Sequence, residues 1–139
     1  MANFYVTLNN HEIAEQIAAL LNLQNKLYKR HTARTIMINT TDYFVELHGN
    51  VVIGCTGLVR EFPTISKSYH TSVHPDHQKK GLGTKLIKTA MANCSTPFIY
   101  GTIREDNPAS LRMVQKLGWK YIRRDWSRDH FIITMATKM

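Results

Sequence analysis

Apolar residues recur every three or four positions in three parts of the chain, and each such stripe predicts a helix with one buried face. The first predicted helix covers about residues 10–23, and Asn9 and Glu12 at its start have the spacing of a capping box. The second begins near Leu82, and the third follows Asn107. The stripes consist of Ile13, Ile17, Leu20 and Leu21; of Leu82, Leu86, Ile87, Ala90, Met91 and Cys94; and of Leu111, Val114 and Leu117.

Alternating apolar and polar residues predict strands in the rest of the chain. Gly49 and Asn50 indicate a tight hairpin turn, whereas residues 24–42 show no clean period and are expected to form a short helix and a loop. The order βα(α)βββαβαββ predicts one α/β domain over residues 1–139, with helices packed on a mixed sheet. The predicted strands are residues 4–8, 43–48, 51–60, 66–73, 98–103, 121–126 and 131–138.

The segment HPDHQKKGLGTKLIKTAM, residues 74–91, places two glycines at the start of the second predicted helix. The first N–H groups of a helix have no partner inside it, so this turn is an expected anion site, and Lys79 and Lys80 add positive charge. The P-loop pattern fails because Lys follows neither glycine directly, and the dinucleotide pattern fails because Leu86 stands where a third Gly belongs. Nucleoside triphosphates and NAD are therefore disfavoured as the anion.

Two motifs resemble one family. Gln78, Gly81 and Gly83, after an extended Ser-Val-His-Pro segment, resemble the acyl-CoA pyrophosphate loop of the GNAT superfamily of N-acyltransferases. Asn107 and Ser110, followed by Lys-Leu-Gly-Trp, resemble the region after the fifth strand of that fold. The resemblance covers roughly residues 43–139, and the first forty residues match only in their pattern.

The resemblance implies a mixed, mainly antiparallel sheet flanked by helices, in which the strand ending at Val73 parts from the strand at 98–103. It also implies an acetyl-CoA-dependent N-acetyltransferase, in which a primary amine attacks the bound acetyl donor directly in a ternary complex. Backbone amides from Lys79 to Thr84 would hold the pyrophosphate. The residues expected to bind acetyl-CoA are Ser72, Val73, Gln78, Lys79, Lys80, Gly81, Leu82, Gly83, Thr84, Asn107 and Ser110.

For the chemistry, the resemblance makes the Val73 N–H the expected oxyanion donor. Many relatives carry a Glu on the strand before the Gly-rich loop as general base, but residues 65–73, ISKSYHTSV, contain no carboxylate. His70 is then the first candidate for the base, and Glu61 is the second. Val114 stands where many relatives have a Tyr that protonates the thiolate. Ser110 and Tyr100 are the nearest substitutes.

Composition limits the function classes. Hydrophobic residues make up 43% of the chain and charged residues 20%, and no apolar stretch has the length of a membrane span. The N-terminus lacks the basic start and apolar core of a secretory signal, so we expect a cytoplasmic protein, either a monomer or a homodimer. With two cysteines and no Cys-x-x-Cys pair, no metal site is expected, although His74 and His77 have a metal-like spacing.

The net charge of +8 suits a surface around polyanionic CoA but also leaves a nucleic-acid partner open, since basic residues crowd 26–34 and 123–128. The sequence does not distinguish a small-molecule amine from a peptide amine or an aminoacyl-tRNA. A toxin-like tRNA-directed acetyltransferase and a non-catalytic CoA-binding regulatory module are the alternatives. An amine pocket is expected to use one or two of the acids near the mouth of the site: Asp42, Glu46, Glu61, Asp125 and Asp129.

Overall fold

The computed structural model describes residues 9–24 and 29–139, with the backbone alone at Gln24. All three stripes form helices, and the strands predicted from residue 43 onward are present. The predicted strand at 4–8 lies outside the described residues. The elements are α1 (Asn10–Gln24), α2 (Ala33–Ile38), β1 (Asp42–His48), β2 (Val51–Phe62), β3 (Ile65–Val73), a 3₁₀ turn (Pro75–His77), α3 (Leu82–Ala92), β4 (Phe98–Arg104), α4 (Pro108–Lys116), β5 (Lys120–Ser127) and β6 (His130–Lys138).

The six strands form one sheet in the order β1-β2-β3-β4-β6-β5. Every neighbouring pair is antiparallel except β3 and β4, which run parallel and pair only at Ile65–Lys67 with Phe98–Tyr100. Beyond this short pairing the two strands diverge toward their C-terminal ends. The mixed, mainly antiparallel sheet with a splayed central strand pair is thus confirmed.

Helices cover the two faces of the sheet. Side chains alternate along β1, so Tyr43 and Val45 pack with α1, whereas Phe44 packs with α3 and α4 on the other face. Ile13 and Ile87 are the corresponding anchors on the helices, and both are almost fully buried. Burial of a side chain of this size contributes about 1.5–3 kcal/mol to folding.

β3 contains a bulge at His70. Cys55 of β2 lies opposite Ser72 and Gly57 lies opposite Tyr69, so β3 has one more residue than β2 between these pairs. His70 takes up the extra residue with a left-handed φ of 55°, a conformation that non-glycine residues rarely adopt. The Tyr69 and His70 rings consequently lie on the same face, with centroids 4.0 Å apart.

In the part of the chain that the structure describes, each helix is too short or too polar to cross a bilayer.

Candidate active site

A cavity of about 380 Å³ opens where β3 ends and where α3 and α4 begin. It brings together the two motifs that are far apart in sequence. All the predicted acetyl-CoA residues line it except Lys80, and four residues that sequence reasoning missed also line it. The lining consists of Thr71, Ser72, Val73, His77, Gln78, Lys79, Gly81, Leu82, Gly83, Thr84, Asn107, Ala109, Ser110 and Met113.

The start of α3 presents free backbone donors to this cavity. Gly81 is the N-cap, with a left-handed φ of 79°, and Lys79 before it also has a positive φ of 63°. The Lys85 N–H donates to the Gly81 carbonyl at 3.1 Å, so the N–H groups of residues 82–84 precede the first helical hydrogen bond. With the positive end of the helix dipole, they form an anion site.

Gly83 is required for space as well as for access to its backbone. A Cβ atom built on Gly83 would lie 3.2 Å from Met113 Sδ of α4, which is tighter than an ordinary contact. The absence of a side chain therefore keeps the backbone of α3 open to the cavity and in close contact with α4.

The end of β3 adds two donors on the cleft side. The His74 N–H donates to Ile53 of β2 at 2.8 Å. Because N–H groups alternate along a strand, those of Thr71 and Val73 point away from β2, into the space that β4 has left. Gln78 Nε2 donates to the Val73 carbonyl at 3.0 Å and fixes the turn. Thr71 was not predicted from the sequence as a residue of this cavity. It lies two residues before Val73, and its N–H points in the same direction.

α4 faces the cavity with its first two turns. Asn107 Oδ1 accepts from the Ser110 N–H at 3.2 Å, so the Asn107 side chain caps the helix as its sequence position suggested. Met113 lines the cavity, but Val114 is only 2% exposed and packs in the core with Trp119. Ser110, the hydroxyl-bearing residue of α4, lines the cavity one helical turn before Val114.

His70 lies on the face of β3 that packs against α1 and α2, within a group of aromatic rings. The His31 ring meets it edge-on with centroids 4.8 Å apart, and the Tyr43 ring is parallel to it at 6.1 Å. Tyr43 Oη lies 2.9 Å from His70 Nδ1, and the Tyr69 hydroxyl bonds to Thr41. Burial, with smaller contributions from the charges of His31 and Lys67, lowers the pKa of His70 to about 4.

His31 itself is held by α1. Asn22 Nδ2 donates to the His31 carbonyl at 2.8 Å, and Asn22 Oδ1 accepts from the His31 N–H at 2.8 Å. One amide side chain thus fixes both backbone groups of His31. Sequence reasoning missed the ring neighbours of His70 because they come from three separate segments of the chain.

Glu61 lies at the far end of β2, beside the closed part of the cleft. It accepts a hydrogen bond from Tyr100, whose β4 position is paired with Lys67. Burial and the neighbouring Glu61 carboxylate raise the pKa of Tyr100 to about 12. Glu61, the second candidate for the base, and Tyr100, one of the two candidate acids, are therefore joined to each other.

Three of the other acids expected at the mouth pair with basic side chains. Glu46 bonds to Lys85 of α3 at 2.8 Å, and Asp42, four residues earlier in β1, shares that face of the sheet. Asp125 pairs with Arg123 at 2.9 Å, and Asp129 pairs with His130 at 2.7 Å in the C-terminal hairpin. Strand alternation therefore turns the side chains of Asp42 and Glu46 toward α3.

The cysteines and histidines do not converge on a metal position in the described ranges, where no three His, Cys, Asp or Glu side chains are grouped. Cys55 is buried, which raises the pKa of its thiol to about 12. His74 Nδ1 accepts from the Asp76 N–H at 3.2 Å and so caps the 3₁₀ turn.

Comparisons with known proteins agree with this geometry. The sequence model of the acetyltransferase (GNAT) family matches residues 11–119. An L-amino acid N-acyltransferase from Escherichia coli K12 is 42% identical over 50 residues, which are 34% of this chain. Those residues are only 29% of that relative's length.

Two solved structures have the same fold. An acetyltransferase from Bacillus subtilis in complex with CoA has a TM-score of 0.76 at 15% identity, covering 89% of this chain and 91% of its own. A phosphinothricin acetyltransferase from Sinorhizobium meliloti in complex with acetyl-CoA has a TM-score of 0.73 at 14% identity, covering 93% and 83%. Since the family match spans most of the chain, the protein belongs to the acetyltransferase (GNAT) family and is an acyltransferase.

Proposed function

We propose that the protein transfers an acetyl group from acetyl-CoA to a primary amine by direct attack within a ternary complex. The observation that carries this proposal is the continuity of one cavity from the N-terminus of α3 to the end of β3, beyond its short pairing with β4. An anion site and an unpaired strand edge in one cavity suit a ligand with a phosphate end and an amide-containing arm.

The residues present fit acetyl-CoA. The N–H groups of residues 82–84 and the loop at Lys79 would hold the pyrophosphate, and Gly83 leaves room for its close approach. The free N–H groups of Thr71 and Val73 would pair with the pantetheine arm as a neighbouring strand would. Acetyl-CoA would supply the acyl group as a thioester.

The same strand edge would stabilise the transition state. When the amine forms its bond to the carbonyl carbon, negative charge develops on the carbonyl oxygen. We assign its hydrogen-bond donor to β3, where Val73 was expected from sequence and Thr71 offers a second N–H in the same direction. Fixed donors of this kind typically contribute about 10²- to 10³-fold in rate.

The amine must lose one proton as the C–N bond forms and the C–S bond breaks. His70 and Glu61 are the two candidates for the acceptor of that proton. We favour Glu61, because burial makes His70 a weak base and because Tyr43 already contacts its Nδ1. The thiolate would leave without a protein acid, since its pKa is only about 8.5.

A single assay tests the proposal. Purified protein is given acetyl-CoA with a panel of amino acids, diamines, aminoglycosides, peptides and aminoacyl-tRNA, and both free thiol and acetylated product are measured. The name of the E. coli relative makes amino acids the first acceptors to test. We expect product with at least one amine class. Tight acetyl-CoA binding without product from any class would instead support the non-catalytic CoA-binding module, and product from aminoacyl-tRNA alone, with steep salt dependence, would support the tRNA-directed alternative.

A further inference from the structure

We propose that the acceptor pocket recognises an anionic group on the amine substrate, through the Lys67 ammonium and the Nε2–H of His70. This inference rests on the proposed acetyl transfer. It names the chemical class of the acceptor, an amine that also carries a carboxylate or a comparable anion.

The first step is the orientation of one amide. The Thr41 N–H, which can only donate, lies 3.0 Å from Asn39 Oδ1. The oxygen of Asn39 is therefore assigned, and its Nδ2 is the donor to the Thr35 carbonyl at 3.1 Å and to Tyr43 Oη at 3.2 Å. The Tyr43 oxygen thus receives a hydrogen bond.

The second step is the tautomer of His70. Tyr43 has one proton to donate, and His70 Nδ1, 2.9 Å away, is the remaining partner of its hydroxyl among the described residues. Nδ1 therefore accepts, and the neutral imidazole carries its proton on Nε2. Nε2 has no hydrogen-bond partner among the described residues, and it is not sealed from solvent. At neutral pH this ring offers a donor to a substrate.

The third step is the position of Lys67. Its side chain lies on the same face of β3 as Tyr69, with Nζ 5.4 Å from the centroid of that ring. His70 packs against the same ring at 4.0 Å, so the ammonium and the imidazole are both neighbours of Tyr69. Lys67 also lies at the last β3 position paired with β4, where the cleft begins.

The fourth step is the balance of charge. The ten acids of the chain all lie in the described ranges, because residues 1–8 and 25–28 contain no Asp or Glu. None of the ten is within ion-pair distance of Lys67. Glu61, the carboxylate beside this part of the cleft, is bonded to Tyr100. The Lys67 ammonium therefore has no carboxylate partner in the protein, which disfavours polyamines and aminoglycosides and favours a substrate that brings its own anion.

The test compares free L-amino acids with their C-terminal amides as acceptors of the acetyl group. The amide has the more acidic ammonium, so more of it is neutral amine at neutral pH, and without carboxylate recognition it should react faster. We expect the wild-type protein to prefer the free amino acid. We expect Lys67→Met to raise KM for the amino acid roughly ten- to hundredfold, with little change in kcat, and to leave the amide unaffected.

Two matched variants separate charge from structure. Lys67→Arg should retain the preference, and Lys116→Met, on the exposed surface of α4, should match the wild type. Equal or faster acetylation of the amides by the wild type, or an equal effect of Lys67→Met on both substrates, would overturn the inference. Acetylation of diamines or aminoglycosides alone would also overturn it, while the proposed transfer reaction would stand.

Binding is a readout that does not require turnover. Titration of the same amino acids and amides into protein saturated with CoA should give heat for the amino acids only, and Lys67→Met should abolish it. If no amine is acetylated but this selectivity is present, the reaction fails and the anion site stands. The absence of any anion-dependent binding would contradict the site itself.

Discussion

Tyr43 Oη lies 2.9 Å from His70 Nδ1 and ties the first strand of the sheet to the bulge in the third. Removal of this hydroxyl by Tyr43→Phe leaves His70 Nδ1 and one Asn39 hydrogen without a partner. We expect a loss of about 1–2 kcal/mol in the free energy of unfolding, measured by chemical denaturation. The matched control is Tyr121→Phe, which changes an exposed tyrosine and should stay within about 0.5 kcal/mol of the wild type.

The pKa of His70 predicts a dependence of stability on pH. The folded value is about 4 and the ordinary value is 6.5, so between these the unfolded chain binds more protons and stability falls as the pH is lowered. The groups that face His70 are His31, Lys67, Tyr43 and Tyr69, together with the Cys55 thiol at its carbonyl. The difference in unfolding free energy between the wild type and His70→Gln should therefore shrink by roughly 1–3 kcal/mol from pH 6.5 to pH 4. A difference that stays constant with pH would show that His70 titrates normally.

The proton acceptor is tested by two substitutions measured side by side. Glu61→Gln should lower kcat by about 10²-fold or more, the usual contribution of a general base. His70→Gln should leave the limbs of the pH–rate profile between about 6 and 8 in place. Loss of such a limb in His70→Gln would restore His70 as the base. Tyr100→Phe serves as the control for the partner of Glu61, and we expect it to cost less than tenfold, because the thiolate can leave unaided.

Gly83 is predicted to matter for ligand binding more than for folding. In Gly83→Ala the new Cβ would press on the flexible Met113 thioether at 3.2 Å, which can shift, so the unfolding free energy should change by less than about 1 kcal/mol. Gly83→Val should abolish acetyl-CoA binding in calorimetry, because its branches would fill the approach to the amides of α3. Undiminished affinity in a folded Gly83→Val variant would remove the loop from the acetyl-CoA site.

The surroundings of Val114 do not leave room for the Tyr that the family resemblance led us to expect at this position. It is 2% exposed and packs in the core with Trp119. Val114→Tyr is therefore expected to cost about 1–3 kcal/mol of stability through overpacking, without an increase in kcat. Denaturation and steady-state rates on the same samples check both parts. A stable, faster variant would show that the phenol reaches the cavity.

The Gly-rich loop could be predicted from the sequence because it is a local feature. Two glycines, the lysines before them and the stripe that follows specify a turn and a helix start without reference to the rest of the chain. Asn107 is similar, since a capping side chain acts on its own helix. The convergence of these two stretches in one cavity required the family resemblance, because no local pattern places α4 beside α3.

The surroundings of His70 could not be predicted in this way. The bulge reverses the alternation of β3, so a period of two counted from Lys67 gives the wrong face for every residue after Tyr69. The ring neighbours His31 and Tyr43 come from a loop and from another strand. The faces of Asp42 and Glu46 were predictable in principle, because side chains alternate along a strand. Both lie on the same face of β1 as Phe44 and on the opposite face from Tyr43 and Val45.

The short pairing of β3 with β4 has a mechanical consequence. Three residue pairs, together with the Thr96–Ser66 hydroxyl bond at 2.8 Å, join the half-sheet β1-β2-β3 to the half-sheet β4-β6-β5. A molecule bound between the diverging ends would contact both half-sheets and hold them together. In the free protein, the amide hydrogens of the two half-sheets would then exchange as two separate cooperative units. When such a molecule is bound, they would exchange as one unit.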